Sequence, residues 1–157
     1  MKRKVYLETT IASYLTAWPS RDLITAAHQQ LTRDWWQNRR EEFDLFISPA
    51  VLRESGGGDP EAATRRLAVL NDLPLLELTG AATTLAQELV REVPLPAKAA
   101  VDALHIAIAV VHGIDYLLTW NCTHIANAAL RTQIDAVCRA NGYASPVICT
   151  PEELLEA

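Results

Sequence analysis

Residues 98–119 read KAAVDALHIAIAVVHGIDYLLT, and this stretch decides the fold. Over 98–112 alanine, valine, leucine and isoleucine occupy nearly the whole helical circumference, interrupted by Asp102 and His105. A helix that is apolar all round is buried centrally. Gly113 stops it, because glycine accepts the left-handed conformation that closes a helix. Residues 116–119 (YLLT) follow as a continuously apolar strand, the pattern of an interior parallel strand. A buried helix feeding a buried strand predicts a sheet covered on both faces.

The same alternation continues outward in both directions. Toward the N-terminus, residues 3–8 predict a strand. Thr9 and Thr10 cap a short helix through Leu15. Pro19-Ser20 breaks the chain, and Ser20 opens a helix over about 21–40. Residues 44–48 (DLFIS) predict a second strand, and Pro49 starts a helix carrying Glu54. Gly56-Gly57-Gly58 ends that helix, and Asp59-Pro60 opens another to about Asn71. Residues 74–78 (PLLEL) predict a third strand, and 81–92 an amphipathic helix. Toward the C-terminus, 124–140 predicts a helix, 146–149 a short edge strand, and Thr150-Pro151 a last helical turn. The reading is one α/β domain over 1–157: a three-layer α/β/α sandwich with a mainly parallel central sheet of four to five strands.

Composition agrees. The 157 residues are 50% hydrophobic and 21% charged, enough apolar material for a core. Three cysteines, with no CxxC pair, fit neither a disulfide framework nor a zinc ribbon. A reducing, cytoplasmic setting is expected. A signal peptide needs roughly 7–15 apolar residues, and Glu8 interrupts after three. No apolar run is long enough to span a membrane. A net charge of −5 argues against coating nucleic acid by bulk charge, and leaves open an enzyme that meets a few phosphates through cations.

In open parallel sheets, ligands bind at the carboxyl ends of strands. Glu8 ends the first strand and Asn121 follows the fourth. Glu54 sits on the helix after the second, and Asp102 near the start of the buried helix. Three carboxylates and an amide oxygen converging on one face would repel and resist burial. A hard cation, Mg²⁺ or Mn²⁺, removes that penalty. Each residue also has an ordinary structural role open to it. Glu8 and Glu54 suit solvated surface positions, and Asp102 suits a first-turn helix charge or a pair with Lys98. Asn121 suits a turn. His105 reads as a satisfied core histidine tethering Asp102, His124 as the start of a helix, and Trp120 as a residue beside the site with a chance of touching substrate.

Four pieces of the chain, VYLETTIASYL at 5–15, SPAVLRES at 48–55, DALHIAIA at 102–109 and DYLLTWNCTHIANA at 115–128, resemble the PIN-domain ribonucleases, most closely the VapC-type toxins of toxin–antitoxin pairs. The resemblance implies a parallel sheet flanked by helices and an acidic cluster that binds Mg²⁺ or Mn²⁺ and hydrolyses RNA. It places Glu8 at the first acidic position, where aspartate is commoner, Glu54 at the second, Asp102 at the third and Asn121 at the fourth. Thr10 and Thr119 match hydroxyl positions beside the acids. Arg53 and Lys98 would hold neighbouring phosphates. A small antitoxin and a homodimer are further implications. Glutamate at position 8 and neutral asparagine at 121 also suit a second class, a PIN-fold module that only binds RNA or a partner protein. A phosphatase-like hydrolase would want a nucleophilic aspartate where Glu8 stands.

Overall fold

The computed structural model describes residues 1–96 and 99–155. In chain order the elements are β1 (Arg3–Leu7), α1 (Thr9–Thr16), α2 (Leu23–Asn38), a 3₁₀ turn (Arg40–Glu42), β2 (Phe43–Phe46), α3 (Pro49–Ser55), α4 (Pro60–Leu70), α5 (Gly80–Glu92), α6 (Ala100–Val111), β3 (Tyr116–Leu118), α7 (Ala128–Ala140), β4 (Val147–Cys149) and α8 (Pro151–Leu155). The four strands pair in parallel in the order β2-β1-β3-β4. Helices α1, α2 and α8 pack together, as do α5, α6 and α7. The three-layer α/β/α expectation holds, with four strands.

The core follows from the quoted stretch. In α6, Ala103, Ile106, Ala107, Ile108 and Ala109 are fully buried, and β1 adds Val5, Tyr6 and Leu7. Each large side chain so buried contributes about 1.5–3 kcal/mol. Helix α6 ends as its sequence requires. Gly113 takes φ +68, its N–H bonds to the Val110 carbonyl, and Ile114 N–H reaches back to Ala109 O at 3.0 Å. A side chain at 113 would cost about 1–2 kcal/mol in that left-handed conformation.

Several expected boundaries move. Residues 74–78 form no strand, only one bridge between Leu75 and Ile47. Leu75 and Leu78 stay about half exposed, so this apolar run is not an interior strand. Helix α7 starts at Ala128 rather than 124, because 121–127 are spent in a turn that Asn121 and Asn127 hold together. Glu8, not Thr9 or Thr10, caps α1. Asp22, not Ser20, caps α2. Lys98 lies outside the described residues.

Strand order sets the place of a ligand. From β1 the chain moves to β2 on one side, and from β3 to β4 on the other. The gap between β1 and β3 is therefore the switch point, where the connections diverge and leave a crevice at the strands' carboxyl ends. Leu7 pairs with Leu118, so Glu8 and Thr119 leave adjacent strands side by side at that crevice.

Candidate active site

Glu8 is held at the crevice although it is only 3% exposed. Its Oε1 accepts from Thr10 N–H at 3.1 Å, Thr10 Oγ1 at 2.5 Å and Thr119 Oγ1 at 2.6 Å. Both hydroxyls are aimed by backbone donors. Thr10 Oγ1 accepts from Trp120 N–H at 2.8 Å, and Thr119 Oγ1 from Asn121 N–H at 2.9 Å. An N–H can only donate, so each hydroxyl proton is left for Glu8. Among the described residues, all hydrogen bonds to this carboxylate go to Oε1. Burial raises the Glu8 pKa above its ordinary value, against the lowering pull of His105 and of the Thr10 and Thr119 bonds. The ionised form is thus costly without a neighbouring positive charge.

Glu54, in the last turn of α3, comes to the same place. Its Oε1 accepts from Thr9 Oγ1 at 2.5 Å and sits 2.6 Å from His105 Nε2. Burial pulls its pKa upward, but the His105 and Thr9 bonds outweigh it, and the net direction is down. One ligand-type atom each from Glu8, Glu54 and His105 lies within 4.8 Å of the others. His105 is itself fully buried, with Nδ1 2.6 Å from the Tyr6 hydroxyl. Both ring nitrogens are therefore engaged, and the imidazole has no lone pair to spare for a metal.

The other two expected oxygen residues lie along a connected path. Asn121 N–H donates to Thr119 Oγ1, and Asn121 Oδ1 accepts from His124 N–H at 3.1 Å. His124 Nδ1 in turn is 2.8 Å from Asp102 Oδ2. Asp102 is thus tied to His124, not to His105. Arg53 is exposed beside Glu54, next to an apolar cleft of about 240 Å³ lined by Pro49, Leu78, Val101 and Leu104. Trp120 is 8% exposed, stacks on His28 at 4.1 Å between ring centres, and donates to Thr32 Oγ1 at 2.7 Å. Its ring is packed beside the site, between His28 and Thr32.

The donor set suits a hard divalent cation. Two carboxylates meet at one crevice, each with one oxygen pinned, and the cost of burying the Glu8 charge is what such an ion relieves. Thr9, Tyr6, Ser48 and His124 were not anticipated as members of this network. The signal for His105 was present: a histidine inside an apolar helix needs a partner for both nitrogens. The partners, 99 and 51 residues away, are set by the fold.

No family model and no curated protein matches the chain. Solved structures do. VapBC2 from Rickettsia felis, bound to a DNA fragment from its promoter, is 16% identical with a TM-score of 0.60, over 94% of this chain and 98% of that one. VapC20 from Mycobacterium tuberculosis, a Sarcin-Ricin loop cleaving toxin, is 17% identical with a TM-score of 0.61, over 79% of this chain and 95% of that one. The shared feature is the fold: the chain has the PIN-type α/β/α architecture of the VapC toxins. Among the described residues no helix is long and apolar enough to cross a membrane.

Proposed function

We propose that this chain, built on the fold of the VapC toxins, is a divalent-cation-dependent endoribonuclease and the toxin half of a toxin–antitoxin pair. The observation that carries the reading is the meeting of Glu8 and Glu54 at the switch point, each with one carboxylate oxygen held by the protein. Glu8 and Glu54 would hold Mg²⁺ or Mn²⁺, with the remaining oxygen of Asp102 and the Asn121 side chain completing the set. When bound, a cation of this kind acidifies water and neutralises charge on a phosphate.

The chain's own residues supply order. Thr10 and Thr119 keep Glu8 an acceptor at one fixed oxygen. Thr9 and His105 do the same for Glu54. His124 holds Asp102 at the rim, and Arg53 meets a phosphate beside the scissile one. Water attacks the scissile phosphorus, the P–O3′ bond breaks and the 3′ oxygen leaves with a proton, so the products carry a 5′ phosphate and a 3′ hydroxyl. The protein acts in the cytoplasm as a homodimer, and a small antitoxin masks the acidic crevice.

A second reading is a PIN-fold module that binds RNA or a partner without cutting. The engagement of Asp102 by His124, beside a neutral Asn121, is what favours it. Purified protein and RNA decide between them. The ribonuclease reading expects cleavage with Mg²⁺ or Mn²⁺, none in chelator and none with Glu8→Gln. RNA binding without cleavage under every cation condition would establish the module instead.

A further inference from the structure

Behind Glu54 a buried series of hydrogen bonds leaves α3 and returns to it. Ser48 caps the first turn of α3, its Oγ accepting from Val51 N–H at 3.4 Å. The same oxygen lies 2.7 Å from the Tyr6 hydroxyl on β1. That hydroxyl is 2.6 Å from His105 Nδ1 on α6, and His105 Nε2 is 2.6 Å from Glu54 Oε1 in the last turn of α3. Ser48, Tyr6 and His105 are all fully buried. The path therefore straps both ends of a seven-residue helix to a central strand and the central helix.

Proton placement follows from the ends of the path. The Glu54 carboxylate can only accept, so His105 Nε2 carries a proton toward it. In the neutral ring Nδ1 is then an acceptor, and the Tyr6 hydroxyl donates to it. Tyr6 oxygen accepts in turn from the Ser48 hydroxyl, whose own acceptor site is filled by Val51 N–H. Every donor finds an acceptor, and one tautomer of His105 is selected from behind. A packing role alone would ask only for an apolar side chain of this size. Instead the ring engages the same oxygen of Glu54 that Thr9 holds, and among the described residues the other oxygen carries no hydrogen bond.

We infer that His105 is a positioning residue, fixed by Tyr6 and Ser48, that sets the Glu54 carboxylate for cation binding; this rests on the reading of Glu54 as a cation-holding group. It never ligates the ion itself. The test compares His105→Asn with His105→Gln by Mn²⁺ titration and by thermal unfolding in chelator. The shorter amide of asparagine reaches Tyr6 but not Glu54, whereas glutamine places an N–H where Nε2 stands. Mn²⁺ affinity is expected to fall roughly 10–100-fold in His105→Asn and to recover most of that loss in His105→Gln. Equal Mn²⁺ affinity in the parent and both variants, whatever their melting temperatures, overturns the inference and leaves the ribonuclease reading standing. A parent protein that binds no Mn²⁺ removes both. A second measurement needs no variant: nitrogen NMR of ¹⁵N-histidine-labelled parent protein should show the Nε2–H tautomer of His105 with and without Mg²⁺. Loss of that proton when Mg²⁺ is added would make His105 a ligand and overturn the inference.

Discussion

The inner and outer halves of the site solve the same problem differently. In the inner half, Glu8 is fixed by hydroxyls and Glu54 by a hydroxyl and the His105 imidazole, and among the described residues no arginine or lysine is a hydrogen-bond partner of either. In the outer half, Asp102 faces His124 at 2.8 Å, and the two side chains keep 17% and 21% of their exposure. Buried charge without a counter-charge is unstable by itself. That cost falls on Glu8, which among the described residues is held by hydroxyls and a backbone N–H alone, whereas Glu54 and Asp102 each face a histidine.

Removing charge from each half breaks the symmetry most strongly. Glu8→Gln is expected to lower RNA cleavage more than about 100-fold, beyond the loss ordinary for a supporting residue. Asp102→Asn is expected to keep the fold and lose roughly 10–100-fold, because the outer half loses its negative charge, though the amide oxygen can still accept from His124, while the inner pair stays intact. Cleavage assays on the two variants side by side check the order. A larger loss in Asp102→Asn would place the centre of the chemistry in the outer half.

Stability against pH separates the two glutamates. Glu8 has its folded pKa raised by burial, so its favourable contribution is full at low pH and is lost as pH rises through the folded value. Glu54 is lowered, so its contribution is present above the unfolded value of about 4.3 and is lost as pH falls through the folded one. In chelator at pH 7, Glu8→Gln should be more stable than the parent, with the gap closing as pH approaches about 4.3. Glu54→Gln should be less stable than the parent at pH 7, with its gap closing only in stronger acid. Urea unfolding across pH 4–7 measures both, and parallel curves for the two variants would erase the distinction drawn here.

The smallest effect concerns access. Cys122 lies in the exposed turn of the outer half, whereas Cys138 and Cys149 are buried. Burial, with Glu153 nearby, pushes the Cys149 thiol up to about 12. A maleimide at pH 8 should add one label to the native protein, at Cys122, by intact mass and peptide mapping. Rapid labelling of Cys149 would mean that the β4 edge opens in solution.

Much of this was legible in the residues. The apolar helix, Gly113 and the strand after it determine the sheet, and the acid at the end of β1 marks the crevice. Local patterns fail where the deciding contact is distant. The run at 74–78 looks like a strand, yet it meets the sheet through a single bridge to Ile47, leaving Leu75 and Leu78 half exposed. His124 looks like a helix start, yet the turn at 121–127 delays that helix and turns His124 toward Asp102, 22 residues away. Thr10 and Thr119 were expected beside the acids, but their alignment by the Trp120 and Asn121 amides depends on β1 and β3 lying side by side.

The central claim is that Glu8, buried and pinned at one oxygen, holds a divalent cation. Mn²⁺ titration of the parent, Glu8→Gln and Glu8→Asp tests it directly. Aspartate is shorter by one C–C bond, about 1.5 Å, and its carboxylate would leave the Thr10 and Thr119 hydroxyls, while metal sites tolerate only about 0.2 Å. One saturable site in the parent, weakened in Glu8→Asp and absent in Glu8→Gln, is the expected result. Equal binding by all three proteins, or tighter binding by Glu8→Asp, would contradict it.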